Sequence, residues 1–260
     1  MIIDTFMFSN EIDMLTCRLT EIGDVVDVVI AVESDVDHQN NPKPYVLTEN
    51  IDRFERWWDK LIVVRATDLP TDPNPWTREH AQREWIGEAI RDLPGVSGSD
   101  IVLQSDVDEI PRALNVRNVR PGSGLAVFEM RFHPFCVDWI HPHPWQGTVA
   151  ATVDTVAGLG RGADGPFTVM RDARLWSTVP AGYRDAGWHF TWVGQDPMAK
   201  IESFCHPEVY DHIVEYGDRF ATEGIHVDGL KLDPVDVDSG WPKWIRDGHA
   251  PDSWFRPRAH

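Results

Sequence analysis

Short apolar runs alternate with segments of helical periodicity over the first hundred residues of the chain. The runs are rich in β-branched side chains, which is typical of buried parallel strands, and they occupy residues 2–8, 25–32, 61–64 and 101–103. Between the first two runs, apolar side chains recur at helical spacing from Ile12 to Ile22, and Gly23 follows them. A strand, a helix and a second strand in this order predict a βαβ unit and therefore a parallel sheet.

Two more helices are predicted between these runs. One covers residues 51–60. The other follows a proline-rich segment at 70–75, which is predicted to be irregular, and it begins at Thr77 as its N-cap and ends before Pro94. The polar segment at 33–48 is predicted to be a loop.

The pattern changes after residue 124. Residues 125–132 alternate between apolar and polar, which favours antiparallel structure, and further short strands are predicted at 167–170 and 174–176. Helical periodicity returns at 197–210 and 211–220, whereas the last 30 residues show none and are expected to wrap around the surface. These patterns predict one α/β domain with a mostly parallel, Rossmann-like sheet and an antiparallel C-terminal portion. Its predicted bounds are 1–220, and an extension follows at 221–260.

Composition limits the class of protein. A chain of 260 residues, 42% hydrophobic and 25% charged, is an ordinary globular protein. It contains no run of about 18 apolar residues that could span a membrane. Asp4 interrupts the opening hydrophobic residues and no basic segment precedes them, so we predict a cytoplasmic protein.

Charge narrows the partners. Lys and Arg number 24 against 42 Asp and Glu, a net charge of −18, which disfavours broad binding to anionic membranes or to nucleic-acid backbones. A local basic pocket is still compatible with this balance, and Arg256 and Arg258 leave a local nucleic-acid contact open. Three widely spaced cysteines give neither a disulfide framework nor a Cys-x-x-Cys metal motif.

The candidate chemistry centres on an Asp-x-Asp motif. Two carboxylates separated by one residue can hold a hard divalent cation, which in turn binds a diphosphate. Asp-Val-Asp occurs at 35–37, 106–108 and 236–238, but only the second copy directly follows a β-branched strand. Because ligands of open α/β sheets collect beyond the carboxyl ends of the strands, Asp106 and Asp108 are the favoured pair.

Two other groups of residues suggest binding. Twelve tryptophans in 260 residues is a high share, and indole faces stack on sugars and bases as well as filling cores. His133, His141 and His143 lie close together in the sequence and allow an alternative zinc site, although the prolines between them argue against a helical His-x-x-x-His face.

Seven short motifs, in order, resemble glycosyltransferase family 17, the family of the β-1,4-mannosyl-glycoprotein N-acetylglucosaminyltransferase. The resemblance covers roughly residues 1–215, and the ordered set is far more specific than any one motif. The motifs are Phe8 to Leu15, Val29 to Glu33, Arg78-Glu79 with Gln82-Arg83, Ser105 to Pro111, Trp145 to Thr148, Gly187 to Trp192 and Ser203 to Glu208.

The resemblance implies a GT-A-like fold, a nucleotide-sugar donor (a UDP-sugar first), a divalent Mn²⁺ or Mg²⁺ ion and inversion at the anomeric carbon. It implies a nucleotide-binding half at about 1–112 and an acceptor half at about 113–220. The roles it implies are metal binding by Asp106, Asp108 and His206, donor binding by Glu33, Arg78, Arg83 and Asp106, and acceptor binding by Trp145, Trp188 and His189.

These observations lead to a hypothesis about the reaction. A carboxylate, with Asp185 as the first candidate and Glu129 as the second, deprotonates an acceptor hydroxyl, which attacks the sugar of the donor. The enzyme would transfer a hexosyl or N-acetylhexosaminyl group to a glycan or another hydroxyl acceptor. Two alternatives stay open: a glycan- or nucleotide-sugar-binding module without turnover, and a glycosyltransferase that acts on a modified nucleic-acid base.

Overall fold

The computed structural model describes residues 1–122, 124–160, 165–176, 181–203, 205, 210–217 and 219–257. Within these ranges, no helix combines the length and the apolar character needed to cross a bilayer. The strands are β1 Ile2–Met7, β2 Val28–Ser34, β3 Leu61–Ala66, β4 Ile101–Asp106, β5 Glu109–Pro111, β6 Ala126–Phe132, β7 Trp139–Ile140, β8 Trp145–Thr152, β9 Ala181–Tyr183, β10 Gly187–His189 and β11 Asp233–Pro234.

Most of the helices are short. The α-helices are α1 Ile12–Ile22, α2 Val46–Glu49, α3 Pro75–Asp92, α4 Ala113–Asn118, α5 Val153–Gly158, α6 Pro166–Asp172, α7 Pro197–Ser203, α8 Tyr210–Tyr216 and α9 Lys243–Arg246. Within the described residues, 3₁₀ turns lie at Ile51–Trp57, Ala173–Leu175 and Asp252–Trp254, and a π-helical turn lies at Phe220–Gly224.

The main sheet has the order β3-β2-β1-β4-β8-β6-β10-β5, with β9 also beside β6. Strands β1 to β4 are all parallel, β8 is antiparallel to both β4 and β6, and β5 is antiparallel to β10. This confirms the mostly parallel, Rossmann-like sheet with an antiparallel C-terminal portion. The strand order reverses between β1 and β4, so a crevice opens beyond their carboxyl ends.

The first half of the sheet is covered on both faces because its strands are apolar on both sides. Phe6 of β1 packs with Leu15 and Leu19 of α1, whereas Ile3, on the opposite face of the same strand, packs with Ile86 of α3. This arrangement explains why β1 and β2 have almost continuous apolar sequences.

Two predictions about helices need correction. Helix α3 begins at Pro75 with Asn74 as its N-cap, whose side chain accepts a hydrogen bond from the backbone N–H of Trp76, so Thr77 is not the cap. Proline suits the first helical position because its missing N–H would have no helical partner there. Residues 46–49 form α2 inside the segment predicted to be a loop.

The predictions of strands at 167–170 and 174–176 are wrong. Both segments are helical, in α6 and in the 3₁₀ turn that follows it. The cause lies elsewhere in the chain: the carboxylate of Glu84, on α3, accepts hydrogen bonds from the backbone N–H groups of Phe167 and Thr168 and from the Thr168 hydroxyl. It therefore satisfies the free N–H groups at the start of α6, where a negative charge also favours the helix dipole.

The C-terminal segment contributes a small core. Trp241, Ile245 and Trp254 are buried and pack with Trp188 and Phe190. The division of the chain at residue 220 stays a prediction.

Candidate functional site

The acidic motif lies at the crevice where the strand order reverses. Asp106 is the last residue of β4, and it pairs with Met7 at the carboxyl end of β1. A tight turn then leads through Asp108 into β5, which begins at Glu109. Asp106, Asp108 and Glu109 thus lie within four residues at the place where α/β sheets bind their ligands.

A buried arginine holds this turn from the side of α1. Arg18 donates hydrogen bonds to the carbonyls of Asp106 and Glu109, at 3.2 and 2.7 Å, and to the Ser105 hydroxyl. Its charge is balanced by an ion pair with Asp4, and both side chains are fully buried. Arg18 therefore fixes the backbone that carries the acidic residues.

A second buried arginine binds the carboxylates themselves. Arg171 makes two hydrogen bonds to Glu109, of 2.7 and 2.9 Å, and one of 2.6 Å to Asp106. Glu109 is fully buried and also accepts a hydrogen bond from the indole N–H of Trp145. Burial opposes the shift, but the charges of Arg171 and Arg83 hold the pKa of Asp106 well below its usual range.

Asp108 has a different environment. The residue is only 9% exposed, and no described residue donates a hydrogen bond to its carboxylate. Burial raises the pKa of Asp108 to about 7, against the opposing charge of Lys200 and with the repulsion of Asp106 and Glu109. Asp108 is thus a buried carboxylate that no described residue holds by a hydrogen bond, and a bound cation would supply a close counter-charge.

The two predicted donor arginines on α3 differ. Arg83 is buried, is paired with Glu79 and approaches Asp106 to 3.8 Å, so it belongs to the cluster. Arg78 is 2% exposed and donates to the backbone carbonyls of His38, Pro70 and Asp72. It therefore holds the loops that precede α3 rather than facing the crevice.

Glu33 lies at the carboxyl end of β2, as the sequence predicts, but it is fully buried. Its carboxylate accepts hydrogen bonds from the backbone N–H groups of Leu47 and Thr48 and from the Thr48 hydroxyl. It caps the start of α2, so its carboxylate is already saturated by partners inside the protein.

A third arginine at the crevice was not found by sequence analysis. Arg174 follows α6 and lies over the indole of Trp145, 4.9 Å from the ring centroid. Its Nε is buried without a hydrogen-bond partner, and no carboxylate of a described residue pairs with it. Burial, with the repulsion of Arg171, lowers the pKa of Arg174. An anion in the crevice would supply a hydrogen-bond acceptor for the Nε and a counter-charge for the guanidinium.

Two of the three predicted acceptor residues lie on β10, and they face opposite sides of it. His189 and Trp188 are neighbours on one strand, so their side chains point to opposite faces. His189 packs against Trp145 with the ring centroids 4.5 Å apart, and its Nε2 lies 3.6 Å from an Asp108 oxygen. Trp188 is 1% exposed and packs in the C-terminal core under Arg112, so no indole surface is left for a sugar.

The two predicted catalytic bases are not brought next to Asp108. His189 pairs with Phe132 of β6, and Glu129 lies three residues before Phe132 on that strand. Asp185 lies four residues before His189. Three to four residues correspond to about 10–13 Å along a strand. Asp185 is paired with Arg112 and Arg131, at 3.0 and 2.8 Å. Burial opposes the shift, but these two partners hold the pKa of Asp185 below its usual range, which weakens it as a base.

The remaining metal predictions have mixed outcomes. His206 lies outside the described residues. The three histidines of the alternative zinc site do not converge, because the His133 imidazole is fully buried and bonds the Trp139 carbonyl. Two unforeseen groups of metal-binding side chains do converge: His38 with Glu79 and Cys205, and His141 with His226 and Asp228.

Comparison with known proteins identifies the family. The model of "Glycosyltransferase family 17" matches residues 1–152, which is more than half of the chain and includes the complete turn from Asp106 to Glu109. The chain belongs to glycosyltransferase family 17. The resemblance found in the sequence motifs is therefore confirmed.

Curated members of glycosyltransferase family 17 that match the chain share the name beta-1,4-mannosyl-glycoprotein 4-beta-N-acetylglucosaminyltransferase. The human protein is 24% identical over 215 residues, and the rat and mouse proteins are each 23% identical. Each match covers 74% of this chain and 40% of the relative. The chain thus spans well under half the length of these family members.

The residues that sequence analysis missed are mainly Arg171 and Arg174. Their spacing of three residues would place both on one face of a helix, which is the signal that the erroneous strand prediction hid. A helix start was also indicated by Gly165 followed by Pro166, since proline is favoured at the first helical position.

Proposed function

We propose that this chain is a metal-dependent glycosyltransferase that moves a sugar from a nucleotide-sugar donor, a UDP-sugar first, to a hydroxyl of a glycan or other acceptor. Family membership supports transfer chemistry. The observation that carries the proposal is the crevice at the end of β4. There, no described residue holds the Asp108 carboxylate by a hydrogen bond, and three arginines lie beside the turn that carries it, in a chain with a net charge of −18. A diphosphate with its divalent cation needs this combination of charges.

The donor set at the crevice fits a hard divalent cation such as Mn²⁺ or Mg²⁺. Such ions prefer carboxylate oxygens, and Asp108 offers a buried carboxylate without a hydrogen-bond donor among the described residues. Asp106 is already bound by Arg171, so we assign the direct contact to Asp108 and assign Asp106 to the ribose or to metal-bound water. When bound, the cation would offset charge on the leaving nucleoside diphosphate.

The arginines divide the work of binding the donor. Arg83 and Arg171 are held by Glu79 and Glu109, so they shape the crevice and make it less negative. Arg174 has no such partner among the described residues. We assign to Arg174 the contact with the diphosphate, where a guanidinium can donate two parallel hydrogen bonds to phosphate oxygens.

The acceptor is assigned to the side of the crevice formed by Trp145 and His189. Trp145 is partly exposed and lies against His189, whose Nε2 is 3.6 Å from Asp108, and an indole face suits the apolar face of a sugar ring. Inversion requires one displacement from the face opposite the leaving group, helped by a base. The roles of Asp185 and Glu129 as that base, and the GT-A-like organisation into halves at 1–112 and 113–220, stay predictions, as does the cytoplasmic location.

The experiment is a transfer and hydrolysis assay of the purified chain with a panel of nucleotide sugars, with Mn²⁺, with Mg²⁺ and with EDTA. We expect turnover of at least one donor only when a divalent cation is present, and a product of inverted anomeric configuration by NMR. Donor binding without turnover, and unaffected by EDTA, would instead favour the non-catalytic binding module.

A further inference from the structure

A second group of metal-binding side chains lies away from the carboxylates of the crevice. His141 follows β7, while His226 and Asp228 belong to the loop between the π-helical turn and β11. The Nε2 of His141 lies 3.0 Å from one Asp228 oxygen, and the Nδ1 of His226 lies 3.0 Å from the other. One ligand atom from each of the three residues falls within 4.8 Å of the others.

The surroundings of both imidazoles suit metal ligands. His141 Nδ1 lies 3.1 Å from both the carbonyl oxygen and the backbone nitrogen of His143, so it can donate to the first or accept from the second. When Nδ1 carries the proton, Nε2 is left as a lone pair that faces Asp228. Metal-binding histidines usually orient their second nitrogen in this way. His226 Nδ1 is buried and makes no hydrogen bond despite its short distance to Asp228.

We propose that His141, His226 and Asp228 form a zinc site that pins the 225–231 loop to the end of β7. Two imidazole nitrogens and one carboxylate oxygen are a usual Zn²⁺ donor set, with water in the fourth tetrahedral position. Mn²⁺ and Mg²⁺ favour oxygen-rich sites, so this ion differs from the one assigned to Asp108.

The other converging group is a poorer metal site. Glu79 is already paired with Arg83, whose charge would repel a cation. The Cys205 thiol is buried, and burial together with the charge of Glu79 raises its pKa, whereas metal binding requires the thiolate. His141, His226 and Asp228 have no arginine or lysine partner among the described residues.

The zinc site has a structural role. The loop at 225–231 is closed by the bridge between Ile225 and Lys231, and β11 pairs with β7 directly after it. Both imidazoles also contact Phe132, which stacks on His189 of the crevice. A metal ion here would tie the C-terminal segment to the strand that supports the acceptor side of the crevice.

The test measures metal content and thermal stability of the full chain expressed with added zinc. We expect about one zinc ion per chain by mass spectrometry after gel filtration. Removal of that ion with a chelator should lower the melting temperature by about 5–10 °C, since a ligand at 100 times its Kd adds a few kcal/mol to the stability of a domain of this size.

Four variants make the result specific. Asp228→Asn keeps the shape of a half-exposed side chain but removes the anionic ligand, and His226→Gln removes a nitrogen ligand, so both should lose the zinc. Chelation should then leave the melting temperature of Asp228→Asn unchanged. His249→Gln, at an exposed histidine of the same C-terminal segment, should keep the ion, and so should Asp108→Asn. Wild-type protein with less than about 0.2 zinc per chain, or equal zinc in Asp228→Asn and wild type, would overturn the proposal.

Discussion

Two buried arginines reach the same acidic turn from different halves of the molecule. Arg18, in the half that the family model matches, binds carbonyl groups of the turn and is neutralised by Asp4 on β1. Arg171 lies beyond the matched residues and binds the carboxylates of Asp106 and Glu109. Arg18 fixes the path of the backbone through the turn, and Arg171 sets how much negative charge the turn presents.

The two halves of the sheet contribute different residues to the site. The parallel half of the sheet carries the carboxylates on a rigid turn, while the later half supplies Arg171, Arg174 and His189 around them. Each arginine gives a different way to test this division.

The largest effect is expected for Arg18→Met. It leaves the Asp4 carboxylate buried without a counter-charge and frees the carbonyls of the turn, which should cost about 5 kcal/mol or more of unfolding free energy. A loss of this size approaches the whole stability of many domains, so most of the chain should unfold, as followed by circular dichroism and urea titration. Arg53→Met removes an exposed ion pair and should cost less than about 1 kcal/mol. Equal stability of the two variants would contradict the role of Arg18.

Arg171→Met should cost about 3–5 kcal/mol of unfolding free energy, because the fully buried Glu109 carboxylate would lose its counter-charge. Here the missing partner can be compensated: adding Glu109→Gln removes the stranded charge, and the double variant should recover about half of the lost stability. Urea titration measures both. If Arg171→Met alone costs less than about 1 kcal/mol, Arg171 is not the neutralising residue.

Arg174→Met should affect the donor and not the fold. The methionine keeps an apolar side chain over Trp145, so the melting temperature should stay within a few degrees. Loss of a charged hydrogen bond of about 1.5–3 kcal/mol should raise KM for the nucleotide sugar about 10–100-fold. Arg117→Met, at an exposed position on α4, is the matched control and should leave KM unchanged. An unchanged donor KM in Arg174→Met would remove this residue from the diphosphate site.

The smallest expected effect is a change in the pH dependence of the unfolding free energy, caused by the buried His133. Burial lowers the pKa of His133 to about 3, while the unfolded chain binds a proton on this imidazole below about pH 6.5. The buried, neutral His133 therefore contributes its full share of stability above about pH 6.5. Below that, the free energy of unfolding falls by up to about 1.4 kcal/mol per pH unit as the pH drops toward 3. His133→Asn should flatten the pH dependence of urea unfolding by about 2 kcal/mol at pH 5, and His249→Gln should not. Parallel curves for wild type and His133→Asn would contradict this.

Much of the first half was predictable because its signals are local. The runs at β1 to β4 and the helical spacing of α1 each lie within one segment, and the position of Asp106 and Asp108 at the carboxyl end of β4 identified the crevice. The order of strands in a Rossmann-like sheet then places that motif where the strand order reverses between β1 and β4. No distant contact had to be known.

The later half depends on contacts between distant residues. A β-branched run at 167–170 favours a strand by itself, but Glu84 on α3 caps it as a helix. Arg171 meets Asp106 across 65 positions, which no local pattern reveals. Trp188 is similar: its motif suggests a sugar platform, whereas the C-terminal tryptophans cover it.

Calorimetric titration of a nucleoside diphosphate with Mn²⁺ into wild type, Asp108→Asn and Asp236→Asn tests whether Asp108 holds the cation that binds the nucleotide. Asp236 belongs to the exposed Asp-Val-Asp motif and controls for the loss of one carboxylate. We expect Asp108→Asn to lose the Mn²⁺-dependent gain in nucleotide affinity, by about 100-fold or more, while it stays folded and Asp236→Asn binds as wild type does. Unchanged Mn²⁺-dependent affinity in folded Asp108→Asn would contradict it.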